Sequence, residues 1–348
     1  MKILHIENTD KFVEPFNAFI NNNFNKNDHE FALNISKDED KFKLLMNNMT
    51  YIKGYKGLIK INNKMYLSKK IILHSLPKPK ILLLLALQPW LLKKCYWVIW
   101  GSDLYNYRKP KKKIKDKILE SVKKYIVKRF KGIVSLVPGD YELARRWYGV
   151  QGKYYHGIYV NPINIKFLNI LKKDDSKRKD TINIQIGNSA APTNNHIEVL
   201  EQLYKFKNQN IKIFAPLSYG NKSHASKVSE YGKTLFGDKF IPLTNFLSPP
   251  RYAEYLSNID IGIFNNNRQQ GIFNINSFLY LNKTVMLRTD TTMWDFYKQF
   301  KVQLHSINEL NHTQEITSIV NKSTNNKNIK KLFDEEYIKF YWENIFDD

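Results

Sequence analysis

The residues best suited to chemistry lie where short apolar runs give way to polar loops. In VIWGSDLY (98–105) the apolar run ends at Trp100, Gly101 permits a turn, and Asp103 follows at the carboxyl end of the run. A carboxylate placed there can serve as a general base, or it can cap the turn or the next helix. His74 closes the run KIILH in the same manner. It can bind a substrate, take a proton near neutral pH, or sit satisfied in a core. INIQIGNSAAPTNNHIEVLEQL (182–203) runs a strand pattern into a small-residue loop and then an amphipathic helix. Gly187, Asn188 and Ser189 would let backbone amides approach a diphosphate, whose charge a helix N-terminus favours, with Asn194 or Asn195 as the cap. Neither G-x-G-x-x-G nor G-x-x-x-x-G-K-[ST] occurs, so the dinucleotide fingerprint and the P-loop are both absent. Arg268 stands in NNNRQQG, between IDIGIF (259–264) and a further helical stretch. A forked donor there can hold a diphosphate, or it can be an ordinary exposed loop arginine.

Positioning these residues requires strands that end at loops, and the chain supplies them. Strand-like runs at 2–6, 70–74, 96–100 and 132–137 are followed by a second set at 182–187, 211–216, 259–264 and 283–288, with helical stretches between. That alternation predicts parallel sheets with crossover helices in two α/β domains. The polar second half of KFLNILKKDDSKRKDT (166–181) reads as the passage between them. Ser248 with Pro249-Pro250 reads as a helix start, and KKLFDEEYIKFYWENIF (330–346) as a helix with an apolar face that must dock.

Of the 348 residues, 55 are Lys or Arg and 32 are Asp or Glu, a formal charge of +23. The excess sits early, with 31 basic against 13 acidic residues up to position 165 and 24 against 19 beyond it. Half of that early excess comes from RKPKKKIKDKILESVKKYIVKRFK (108–131), where Ile114, Ile118, Val122, Ile126 and Phe130 recur every four residues. The pattern predicts an amphipathic helix whose stripe packs on the domain while Lys111, Lys112, Lys113 and Lys115 face an anionic lipid surface. A basic module binding nucleic acid through this helix is the rival reading, but no nucleic-acid signature accompanies it. The single cysteine, Cys95, excludes an internal disulfide framework and a multi-cysteine metal site. The longest apolar stretch, 81–92, is shorter than the ~20 residues that span a bilayer, and the opening residues lack a signal-peptide pattern. A cytoplasmic location is expected.

WGSDLY, IGNS followed by NNH, FLSPPRYAEYLSNIDIGIF, RQQGI and MWDFYK (293–298) together resemble the bacterial 4-α-L-fucosyltransferase family, glycosyltransferase family 56, in the same order over residues 70 to 300. The resemblance implies an α/β GT-B fold, two Rossmann-like domains facing a cleft. Residues 1–165 would form the acceptor and membrane side and 166–325 the nucleotide-sugar domain, with 326–348 docking back on the first. It further implies an enzyme on the inner face of the cell membrane. The reaction would pass a 4-acetamido-4,6-dideoxyhexose from a dTDP-sugar to an undecaprenyl-diphosphate-linked oligosaccharide, with no nucleic-acid partner. A GT-B enzyme with another nucleotide-sugar and a soluble acceptor is the alternative. Carried across, Asp103 and His74 line the acceptor side, while Gly187, Asn188, Ser189, Arg268, Gln269, Gln270 and Gly271 line the donor side. One departure is Phe273, where the family pattern R-Q-Q-G-I-G has its second glycine. Carboxylates at D-x-D spacing occur only at 38–40, so no cofactor and no essential metal is expected, and Arg268 with helix-terminal amides would neutralise the leaving diphosphate.

Overall fold

The computed structural model describes residues 2–8, 12–34, 49–111, 113–172, 181–320 and 326–348. The chain divides into two compact units, residues 1–160 with 335–348, and residues 161–334. Residues 165–172 form the helix Ile165–Lys172 within the second unit, where Leu168 is buried. Residues 326–334 also lie with the second unit, anchored by buried Ile329 and Leu332.

Among the described residues the first unit carries seven strands: β1 (Ile3–Asn8), β2 (His29–Asn34), β3 (Met49–Ile52), β4 (Lys70–His74), β5 (Cys95–Val98), β6 (Gly132–Ser135) and β7 (Lys153–His156). All pair in parallel, in the order β3-β2-β1-β4-β5-β6-β7. The order reverses between β1 and β4, which opens a crevice at the carboxyl ends of those two strands. Both faces of a parallel sheet are covered, so its strands read as continuous apolar runs. One face carries Leu4, Ile6, Ala32, Ile71, Leu73, Trp97 and Ile133 into the main core. The opposite face is less apolar. It presents His5, His74 and Lys70, all buried, and is roofed by the helices Val13–Asn23 and Glu335–Asp347.

The second of those helices is fixed at several points. Trp342 is fully buried, packs against Phe16 in a tilted arrangement with ring centroids 4.8 Å apart, and donates its indole N–H to the Ile158 carbonyl at 2.8 Å. Lys70 Nζ donates to the carbonyls of Ile345 and Phe346. The Asp348 carboxylate accepts from Lys131 at 2.7 Å, Tyr96 at 2.9 Å and Lys153 at 3.2 Å. Those donors hold its carboxyl well below the usual range, Lys131 foremost.

Among the described residues the second unit has six parallel strands, β8 (Ile182–Ile186), β9 (Ile211–Pro216), β10 (Phe240–Leu243), β11 (Ile261–Phe264), β12 (Thr284–Leu287) and β13 (His305–Ser306), in the order β10-β9-β8-β11-β12-β13. Its reversal falls between β8 and β11. Ile184, Ile186, Ile211, Ile213, Ile261 and Ile263 form the core of one face. Among the described residues no helix is long and apolar enough to cross a membrane.

Trp342→Ala is expected to lower unfolding stability by roughly 3–5 kcal/mol, the usual cost of deleting a fully buried large aromatic ring, read as a shift in the urea midpoint.

Candidate functional site

Each unit offers a site at its own topological reversal. In the second unit the loops after β8 and β11 are stitched into a single polar knot. Gly187 turns the first loop with φ +63°, and a Cβ there would lie 2.6 Å from His196 Nε2 and 2.9 Å from Asn194 Oδ1. Asn194 is buried and ties that loop to itself, accepting from the Asn188 amide at 3.0 Å and donating to the Ser189 carbonyl at 2.9 Å. Gln270 reaches across from the second loop, donating to Asn188 Oδ1 at 3.0 Å and Ser189 Oγ at 3.2 Å, while its own oxygen accepts from Thr193 at 2.8 Å. Asn195 stands before the helix His196–Leu203 but makes no side-chain cap; its amide donates to the Asn265 carbonyl instead. Gly187, Asn188, Ser189, Gln270 and Gly271 are thereby brought together.

Beside the knot lies a small pocket lined by Phe264, Asn266, Arg268, Gln270, Ile275, Leu287, Arg288, Thr291 and Met293. It has an apolar floor and two guanidinium groups. Arg268 Nη1 donates to the Gln269 carbonyl, and Arg288 is clamped by both oxygens of Asp290 at 2.9 and 2.7 Å. Buried Asn265 Nδ2 and Asn266 Oδ1, and Gln269 Oε1, have no protein partner. Gly271, at φ +75°, leads into the helix Ile272–Tyr280. Phe273 lies inside the first turn of that helix, where the backbone needs no glycine.

In the first unit the expected base, Asp103, has a different occupation. Its carboxylate is buried and accepts from Trp97 Nε1 at 2.7 Å and from the amides of Leu76 and Trp100 at 3.1 Å each, with the Leu104 amide also against it. Burial raises its pKa and these four donors oppose the rise. Four donors saturate a carboxylate's acceptor capacity. In this geometry Asp103 braces the loops after β4 and β5 instead of facing a hydroxyl.

His74 ends β4 at the sheet reversal, fully buried, so the imidazole itself does not reach a substrate. It belongs to a ladder. Parallel register sets Ile3 beside His29 and Glu7 beside His74. His29, His5 and His74 therefore stand two residues apart on one face of adjacent strands. His29 Nδ1 lies 3.0 Å from His5 Nε2, and His5 Nδ1 lies 3.0 Å from His74 Nε2. His74 Nδ1 is hydrogen-bonded to the Tyr159 hydroxyl, which also accepts from Trp100 Nε1 at 3.0 Å. Burial lowers all three imidazoles, His74 to about 3 and His29 to about 4. The rings are neutral at pH 7.

A family model described as 4-alpha-L-fucosyltransferase, glycosyl transferase group 56, matches residues 9–347. The chain belongs to this glycosyltransferase family. Its solved structural relatives are distant in sequence and full-length in fold. HepE from Anabaena, in complex with UDP and glucose, is 10% identical with a TM-score of 0.68, and 100% of each chain is covered. Sucrose-phosphate synthase from Thermosynechococcus elongatus is 12% identical with a TM-score of 0.68, covering 100% of this chain and 98% of the other. The fold is GT-B, and the protein is a nucleotide-sugar glycosyltransferase of group 56.

On this glycosyltransferase the basic helix differs from its expected form. The helix spans Ile114–Val127, and only Ile126, Val127 and the following Phe130 are buried; Ile114 is 76% exposed and Ile118 58%. The stripe parts from the domain over its first turns, where Ile114 and Ile118 are exposed. Lys111 does not face outward either. Its ammonium donates to the carbonyls of Asn106, Tyr107 and Lys109 and sits 3.7 Å from Glu120. Lys113 and Lys115 are exposed, while Lys112 and the D-x-D at 38–40 fall outside the described residues.

Tyr159, His5, His29, Arg288 and Asn265 join these sites only through the fold. His5 was visible as the polar interruption of an otherwise apolar strand, whereas Tyr159 carries no local signal.

The neutral imidazoles make stability pH-dependent in a definite direction. Below about 6.5 the unfolded chain binds protons that the folded ladder refuses, so stability complete above that pH is lost as pH falls toward 4. Each ring contributes a slope of up to about 1.4 kcal/mol per pH unit. Urea unfolding between pH 4.5 and 7 is expected to show a shallower slope for His5→Phe by up to that amount; a pH-independent difference would mean that His5 titrates normally when folded.

Proposed function

We propose that the protein transfers a 4-acetamido-4,6-dideoxyhexose from a dTDP-sugar to an undecaprenyl-diphosphate-linked oligosaccharide, in the synthesis of a bacterial surface polysaccharide such as enterobacterial common antigen or an O-antigen. The observation that carries the donor half is the knot at the β8/β11 reversal, with Arg268 and Arg288 on the adjoining pocket. Ligands of open parallel sheets bind at such reversals. Guanidinium forks match diphosphate oxygens. With two fixed cations at hand the departing nucleotide diphosphate is stabilised without an essential metal, and EDTA is expected to leave turnover unchanged.

The acceptor half is supported by the surface of the first unit. The helix Ile114–Val127 packs against Pro79–Ala86 and Pro89–Leu92. Together they expose Ile114, Ile118, Leu83, Leu87 and Trp90 among Lys80, Lys93, Lys113 and Lys115. Apolar side chains flanked by lysines suit a shallow, peripheral seat on the anionic inner face of a membrane, where a polyprenyl-linked acceptor resides.

The deciding assay offers radiolabelled dTDP- and UDP-sugar panels to the purified protein with a lipid-linked acceptor and with soluble glycans. Transfer from a UDP-sugar or to a soluble glycan alone would replace the proposed donor or acceptor. Arg268→Ala is expected to weaken dTDP binding roughly 10- to 100-fold in calorimetric titration, the worth of charge-assisted hydrogen bonds, with an unchanged melting temperature. Lys113→Glu with Lys115→Glu is expected to reduce co-sedimentation with anionic vesicles at low salt at least several-fold, at about 1 kcal/mol per charge. Turnover of a detergent-dispersed acceptor should persist, and equal sedimentation of variant and parent would leave these lysines as a solvated face.

A further inference from the structure

We propose that Tyr159 is the catalytic group on the acceptor side and that His74, His5 and His29 form a proton relay behind it, carrying the acceptor hydroxyl's proton across the sheet. The proposal rests on the first unit being the acceptor side. Tyr159 follows β7 at the sheet edge, yet its hydroxyl lies at the carboxyl ends of β4 and β5, held by His74 and Trp100. It is half-buried where His74 is enclosed. Tyr159 thus stands half-buried in the chain of hydrogen bonds beyond enclosed His74, and half-buried His29 lies at the opposite side.

A neutral imidazole donates from one nitrogen and accepts at the other, so three in series have a single polarity. With each ring protonated at Nε2, Tyr159 donates to His74 Nδ1, His74 Nε2 to His5 Nδ1, and His5 Nε2 to His29 Nδ1. When the acceptor oxygen attacks the sugar carbon and its O–H bond breaks, that proton passes to the Tyr159 oxygen. The tyrosine proton moves to His74, one proton hops at each following junction, and His29 Nε2 releases one to water. The nucleotide diphosphate leaves with the electron pair of the broken glycosidic bond. No ring need hold a net charge at the end, and the ladder resets when each proton returns to Nε2.

The surroundings suit that task. Phe16 from the helix Val13–Asn23, Phe31 from β2, and Trp342 and Phe346 from the helix Glu335–Asp347 present rings to the ladder. Among the described residues the carboxyl groups facing it are Glu7, 3.8 Å from His74 Nε2, and Asp28 beside His29. Glu7 stands at the His5–His74 junction, where it favours transient positive charge in the middle of the relay.

The test interrupts the wire away from substrate. His5→Phe keeps a ring among rings and is expected to lower kcat at least tenfold, with KM for both substrates within twofold and with an altered solvent deuterium isotope effect. Tyr159→Phe should lower kcat at least 100-fold. His29→Ala should lower it less, with recovery on adding imidazole. Parental kcat and isotope effect in His5→Phe would overturn the relay, as would a His29→Ala enzyme indifferent to imidazole. Nitrogen-15 shifts of the resting protein provide a readout independent of turnover: the relay requires three neutral rings of one tautomer at pH 7, and a mixed set or a charged ring overturns it. Absence of transfer by the parent in every sugar and acceptor pairing would instead count against the proposed function.

Discussion

The first unit depends on one packing event, the docking of the helix Glu335–Asp347 over the polar face of its sheet. A sheet face bearing His5, His74 and Lys70 cannot be closed by hydrophobic contact alone, because each buried polar group left without a partner costs free energy. The helix closes it by bringing both kinds of contact at once. Trp342 and Phe346 fill the space beside the imidazoles, the carbonyls of Ile345 and Phe346 receive Lys70, and Asp348 gathers Lys131, Lys153 and Tyr96. The histidines keep one another satisfied by sharing nitrogens, so their neutrality and their order follow from the same enclosure.

The second unit solves a related problem with neutral groups. Its two reversal-point loops are joined by amides: Asn194 within one loop, Gln270 between them, Asn195 to the Asn265 carbonyl. Amide networks are rigid without carrying charge. Beside this network Arg288 pairs with both oxygens of Asp290 and reaches Asn265 Oδ1 at 3.5 Å, and Arg268 donates to the Gln269 carbonyl. A preorganised field of that kind needs little rearrangement when charge develops on a leaving group.

Much of this was legible in the residues. The apolar runs at 2–6, 70–74 and 211–216 coincide with strands, and the loops after 186 and 264 do meet, because a doubly wound sheet gathers its carboxyl-end loops whatever their separation in sequence. β2, β3, β7, β10 and β13 were not read, being short or interrupted by polar residues and, in β10, by Pro242. Asp103 was noticed for its position, but its partners come from Trp97, Leu76 and Trp100, and no spacing rule shows that four donors converge on it. The histidine ladder was hidden for a similar reason. His5, His29 and His74 align only through the order β2-β1-β4 and a two-residue stagger at each step, which are properties of pairing and not of any local pattern.

The return of residues 335–348 to the first unit makes that unit discontinuous along the polypeptide. During synthesis its seven strands emerge first, and the roof over their polar face follows only after the whole of the second unit, residues 161–334. At roughly 5–20 residues per second that interval lasts on the order of ten to thirty seconds. Throughout it the sheet's polar face lacks Trp342, Phe346 and the carbonyls that receive Lys70. The first unit thus waits as an unfinished scaffold until the second unit has been made, and residues 335–348 then turn an open polar sheet face into a dry interior.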